Sequence, residues 1–95
     1  MRDYDIAEFE SRLGEQFLIE DAHGARLELR LDQVERLPAF KREGGAFRLE
    51  LSGPPLPYLD QAIWPLQNGG ELFQIFVVPI KQDAAQTTYE AIFQG

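Results

Sequence analysis

The chain contains no cysteine, so neither disulfide bridges nor thiolate metal sites can compensate for a small core. It has one histidine, His23, which leaves a Ser-His-Asp arrangement or a multi-histidine metal centre almost nothing to build on. The only lysines are Lys41 and Lys81, and neither follows a glycine in a phosphate-binding loop. No glycine turn joins a strand to a helix, which removes dinucleotide binding as well. The longest apolar run, Ile75 to Ile80, is far too short to cross a bilayer as a helix. The first residues, Met1-Arg2-Asp3-Tyr4-Asp5, carry no apolar leader, and a cytoplasmic location is the expectation.

The 95 residues suffice for one domain, 1–95, whose short chain should bury roughly 60–65% of its extended surface. Seven Phe, three Tyr and one Trp supply much of the apolar area. Sixteen acidic against nine basic residues give a net charge of −7, a field that repels nucleic acid and anionic membranes. Arg26, Arg30, Arg36 and Arg48 alternate with acids and form no basic stripe. The expected partner is another protein, with no nucleic acid and no membrane.

Periodicity changes along the chain. Asp5 followed by Glu8 has the form of a capping box, Ile6, Phe9 and Leu13 share a helical face, and Gly14 supplies a stop, which predicts about two turns of helix. From Phe17 the period becomes two. Phe17 and Ile19 alternate with Leu18 and Glu20, and Leu27, Leu29 and Leu31 alternate with Glu28, Arg30 and Asp32, separated by a turn at Asp21-Ala22-His23-Gly24. Leu37-Pro38 ends that pattern, and Lys41-Arg42-Glu43-Gly44-Gly45 reads as a polar turn. Phe47, Leu49 and Leu51 mark a third strand, and the prolines of Gly53-Pro54-Pro55-Leu56-Pro57 predict an extended crossing segment. Strands follow at Gln61–Leu66, Glu71–Ile80 and around Tyr89, Ala91 and Phe93, with turns at Gln67-Asn68-Gly69-Gly70 and Asp83–Gln86. In the longest, Phe73, Ile75 and Val77 face one way and Leu72, Phe76, Val78 and Ile80 the other, which predicts a strand covered on both sides. The fold class is therefore mostly β: a small antiparallel barrel or sandwich of about six strands with one short N-terminal helix.

No constellation for catalysis emerges. His23 reads as a hairpin-tip residue, and no serine lies in a nucleophile elbow. Glu20, Asp21 and His23 could ligate a cation, but strand alternation separates Glu20 from Asp21, so solvated turn charges are expected and no metal or other cofactor. Glu28, Asp32 and Glu50 share outward faces, as paired carboxylates would, yet Arg30 and Arg48 lie among them and cross-strand ion pairs explain the same pattern. The remaining candidate is an interaction patch formed by Pro54, Pro55, Tyr58 and Trp64, weighed against Trp64 facing the core with Tyr58 capping a barrel end.

Several stretches, Phe47-Arg48-Leu49-Glu50-Leu51-Ser52-Gly53-Pro54, Gln61-x-x-Trp64, Glu71-Leu72-Phe73-x-Ile75-Phe76-Val77-Val78-Pro79 and Tyr89-Glu90-Ala91-x-Phe93, together with Phe9-x-x-x-Leu13-Gly14-x-x-Phe17, carry a resemblance. The chain resembles a family of short uncharacterised bacterial β-rich proteins, a domain of unknown function. The resemblance implies association with phage-tail-collar-like gene products and transfers no catalytic residue. The expected function is a non-enzymatic protein-interaction or accessory module. The alternatives are a structural or assembly component of a phage-tail-like particle and a small-molecule-binding barrel with its mouth near Trp64 and Tyr58.

Overall fold

The computed structural model describes residues 4–20, 24–38 and 46–93. One helix, α1 (Ile6–Glu10), precedes six strands: β1 (Gln16–Glu20), β2 (Arg26–Leu37), β3 (Ala46–Gly53), β4 (Ala62–Asn68), β5 (Glu71–Gln82) and β6 (Thr87–Phe93). All pairings are antiparallel, and the order β1-β2-β3-β6-β5-β4 closes on itself as a barrel. Closure removes the exposed edges that a sandwich of this size would leave.

Alternation sets the interior. Phe17 and Ile19, Leu29 and Leu31, Phe47, Leu49 and Leu51, Leu66, Phe73, Ile75 and Val77, and Tyr89 and Ala91 all point inward and are buried. The barrel interior is therefore filled by these side chains, as expected for so few strands. Bulges between Leu31 and Gln33 on β2 and between Pro79 and Lys81 on β5 bend the two longest strands. Pro79, which has no N–H to donate, sits at the second bulge. The β4–β5 connection is the two-residue turn Gly69-Gly70, where φ of +60° and +82° matches the twist of a tight hairpin. At Asp83 the carboxylate accepts N–H bonds from Ala85 at 2.8 Å and Gln86 at 3.0 Å, which hold it below the usual carboxylate range.

Each end of the barrel has its own plug. At one end α1 inserts Phe9, whose ring lies 5.3–5.9 Å from those of Tyr4, Phe47, Phe73 and Phe93. The Glu8 carboxylate accepts the Asp5 N–H at 2.8 Å, which starts the helix where the sequence places it. The helix is shorter than expected. It ends at Glu10, and Leu13, assigned to the buried face, lies 55% exposed because the chain has by then left helical geometry. Gly14, at φ +86°, instead turns the chain so that its N–H reaches the Leu31 carbonyl.

At the other end, segment 54–61 crosses without regular structure, as its prolines require. The buried Tyr89 hydroxyl accepts the Leu59 N–H at 2.9 Å, and the Pro55 carbonyl accepts from the Thr87 hydroxyl and the Gln82 amide. Of the turn expected at Asp21-Ala22-His23-Gly24 only Gly24, at φ +82°, is described, and the turn expected at Lys41–Gly45 lies outside the described residues.

One expectation about β5 is overturned. Its inner face is buried, but Leu72, Phe76 and Ile80 on its outer face stand 52%, 47% and 47% exposed. The helix is occupied with the barrel end and segment 54–61 with the other, so neither covers the outside of β5.

Candidate functional site

Two surfaces combine exposure with chemistry. The first is the outside of β4, β5 and β6. Alternation turns Ile63 outward on β4, directly opposite Phe76 on β5, and Leu72 sits opposite Gln67 four residues further along, beyond the pair Pro65 and Gln74. Ile80 continues the row on β5, and Ile92 adds a further exposed apolar side chain on β6. Several large apolar side chains exposed on one face mark a candidate contact surface.

The patch is bordered by acids. Beside it, on β3 and β6, Glu50 and Glu90 pair directly across the strands, a like-charge arrangement held by Arg48. Arg48 Nε donates to Glu90 at 2.6 Å and an Nη to Glu50 at 2.9 Å, while Glu35 lies 3.6 Å away on β2. The bonds to Glu90, then to Glu50, hold the guanidinium above its ordinary range. Three carboxylates share one cation, so this cluster is net negative.

The second surface is the end closed by segment 54–61. There Ile19, Leu27, Pro57, Tyr58, Leu59 and Trp64 line a cavity of about 200 Å³, with Arg26 and Asp60 on its rim. Trp64 points inward opposite Ile75, half-buried, and its indole N–H donates to the Asp60 carbonyl at 2.9 Å. Tyr58 remains 47% exposed. Of the expected patch, only Tyr58 and Trp64 therefore come together. Pro54 borders an open groove of about 720 Å³ beside Gln16, Glu28, Arg30 and Ser52, which shares Arg26 and Leu27 with the cavity, and the half-buried Pro55 anchors the segment through its carbonyl.

The carboxylates considered for catalysis do not gather, and two of the three are tied up in ion pairs. Asp32 receives Arg30 Nε at 2.6 Å, Glu50 is engaged by Arg48, and Glu28 borders the groove. Asp21 and His23 lie outside the described residues, and among the described residues no three Asp, Glu or His side chains gather to hold a cation.

A comparison with family models matches residues 4–93 to a domain of unknown function, DUF6916. The chain belongs to the DUF6916 family. The match takes in the helix plug, every strand of the barrel, the apolar outer face and the cavity at the proline-segment end, so all of these are parts of the DUF6916 unit. Comparisons with curated proteins and with solved structures return no match. No helix of the described DUF6916 fold is long and apolar enough to cross a membrane.

Sequence reasoning missed Arg26 and Asp60 as companions of the Trp64 cavity, because nothing in the spacing of residues 26, 60 and 64 announces that a strand and a crossing segment meet there. The apolar outer row was visible in the two-sided pattern of β5. Its exposure was not, since alternation shows that a face is apolar and leaves open what covers it.

Proposed function

We propose that this DUF6916 barrel is a non-enzymatic interaction module whose outer β4–β5–β6 face docks a partner protein with an apolar centre and a cationic rim. One observation carries the reading: Ile63, Leu72, Phe76, Ile80 and Ile92 stand on the outside of the barrel with 42–52% of their surface in water. Interfaces of this type gain most from an apolar centre excluded from water. The occupant's charge follows from the border, where Glu35, Glu50 and Glu90 outnumber Arg48, and from the chain's net charge of −7. A second copy of the same acidic chain is disfavoured at neutral pH by that same field.

The test is affinity capture from the native lysate with three baits: wild type, Ile63→Ser/Phe76→Ser, and Tyr58→Ala/Trp64→Ala. The expected result is a protein retained by wild type and by the second variant, lost with the first, and retained less as salt rises. Retention by Ile63→Ser/Phe76→Ser at wild-type level removes the outer face as the docking surface. Loss with Tyr58→Ala/Trp64→Ala alone moves the contact to the barrel end.

A further inference from the structure

The cavity at the barrel end carries two opposite charges that do not meet. Arg26 and Asp60 both line it, yet among the described residues neither side chain has a hydrogen bond or an ion pair, with each other or with anything else. Arg12, Arg30 and Arg48, by contrast, are each tied to a carboxylate. Apart from Tyr58, the rest of the lining is apolar, Leu27, Leu59 and Trp64 among it.

From this arrangement we infer that the cavity is a binding site for a free aliphatic α-amino acid. Its branched side chain would lie against Leu27 and Trp64, its carboxylate on Arg26 and its ammonium on Asp60. The size agrees. About 200 Å³ is below the ~300–1,000 Å³ of pockets that take drug-sized ligands, and it suits a molecule of a few carbons. The chemistry agrees as well. A guanidinium is the preferred donor to a carboxylate, and an apolar wall beside the pair lowers the local dielectric and strengthens both contacts. A monocarboxylic acid would leave Asp60 facing bare apolar surface, and an alkylamine would do the same to Arg26. Only a zwitterion satisfies both rims. The site shares no residue with the outer face of β4–β6, so either reading can stand without the other.

Trp64 is the one tryptophan of the chain and borders the cavity, which supplies the probe. Wild-type protein is titrated with L-leucine, 4-methylpentanoate, 3-methylbutylamine and glycine, read by Trp64 emission and by backbone amide shifts of Leu27 and Leu59. L-leucine is expected to saturate, the two singly charged analogues to bind about fivefold more weakly, as loss of one partly exposed charge pair implies, and glycine to leave Trp64 unmoved. Arg26→Gln should erase the preference for L-leucine over 3-methylbutylamine, and Asp60→Asn its preference over 4-methylpentanoate. Both side chains are exposed, so the variants retain the fold, which the amide spectrum checks. Equal binding of all three aliphatic ligands, unchanged preferences in the variants, or no saturable response to L-leucine would each overturn the assignment.

Discussion

At Gly53 the backbone of β3 passes so close to β2 that a Cβ would stand 2.6 Å from Leu29 Cδ2 and 3.3 Å from the Glu28 carbonyl oxygen. Leu29 is fully buried and cannot swing aside, so Gly53→Ala should cost about 1–3 kcal/mol through overpacking, read as a lowered urea midpoint with an unchanged slope. A loss near zero would mean that the β2–β3 contact is looser than the distance implies. Tyr89 gives a pH-dependent case. Burial, its main perturbation, raises the phenol above its ordinary value near 10, while the hydrogen bonds from the Leu59 N–H and with Thr87 offset part of the shift. The unfolded chain therefore loses this proton first as pH rises. The stability contributed by the neutral phenol is complete below about pH 10 and declines as pH climbs from there towards the folded value. Tyr89→Phe should cost about 1–3 kcal/mol at pH 7, because the Leu59 N–H loses its acceptor, and should flatten the decline above pH 10. Parallel alkaline profiles for the two proteins would assign the decline to other groups.

Among the elements, α1 shows what a short segment owes to its docking. Five residues of helix have no stability of their own, and Phe9 supplies the contacts that keep the helix on the barrel end. Phe9→Ala should cost about 3–5 kcal/mol and expose the end of β5 at Phe73, seen as faster amide exchange there than at Ala91. The capping box and the Phe9 position were legible in the sequence because both depend on residues within one turn. The true end of the helix was not. It depends on Gly14 meeting the Leu31 carbonyl, a contact between positions 17 residues apart. The strand sides at Leu27-Leu29-Leu31 and Phe47-Leu49-Leu51 could be read for the same local reason, whereas the bulge after Leu31 could not, since it records how a long strand bends round a closed barrel. Arg48 also acts at this scale, joining β2, β3 and β6 from outside. Arg48→Met would leave Glu50 and Glu90 facing each other across the strands, and a loss of about 1–3 kcal/mol is expected at low ionic strength. Added salt should recover part of it, since the repulsion left behind is near the surface. Salt-independent destabilisation would point to lost packing of the arginine stem instead.

For the whole molecule, the same few described elements close the barrel and leave one side of it exposed. Six strands suffice to close, but the last joint is slight. β1 meets β4 at a single paired position, Leu18 with Gln67, and Asn68 reinforces it by donating to the Gln16 carbonyl at 3.0 Å while accepting from Arg12 at 2.8 Å. Strand count and direction could be read from the sequence, while closure could not, because a barrel and a sandwich share one alternation and differ only in that joint. With the helix used at one end and the proline segment at the other, no element among the described residues covers the outside of β5. Charge then decides how the bare face behaves. At pH 7 the net charge of −7 opposes association of copies through their apolar faces. Near the isoelectric point of about 4.5 this restraint vanishes, while the apolar area is unchanged. The chain should therefore associate reversibly as pH falls from 7 to 4.5, with sedimentation velocity showing a concentration-dependent shift to larger species. Ile63→Ser/Phe76→Ser should stay monomeric at the same pH with little change in Tm, since both side chains are already half in water. Equal association by the variant would place self-contact elsewhere on the barrel. On the proposed reading, a cationic rim on a partner would do at pH 7 what protonation does at pH 4.5, cancelling the acidic border, so the face expected to self-associate in acid is the face proposed for that partner.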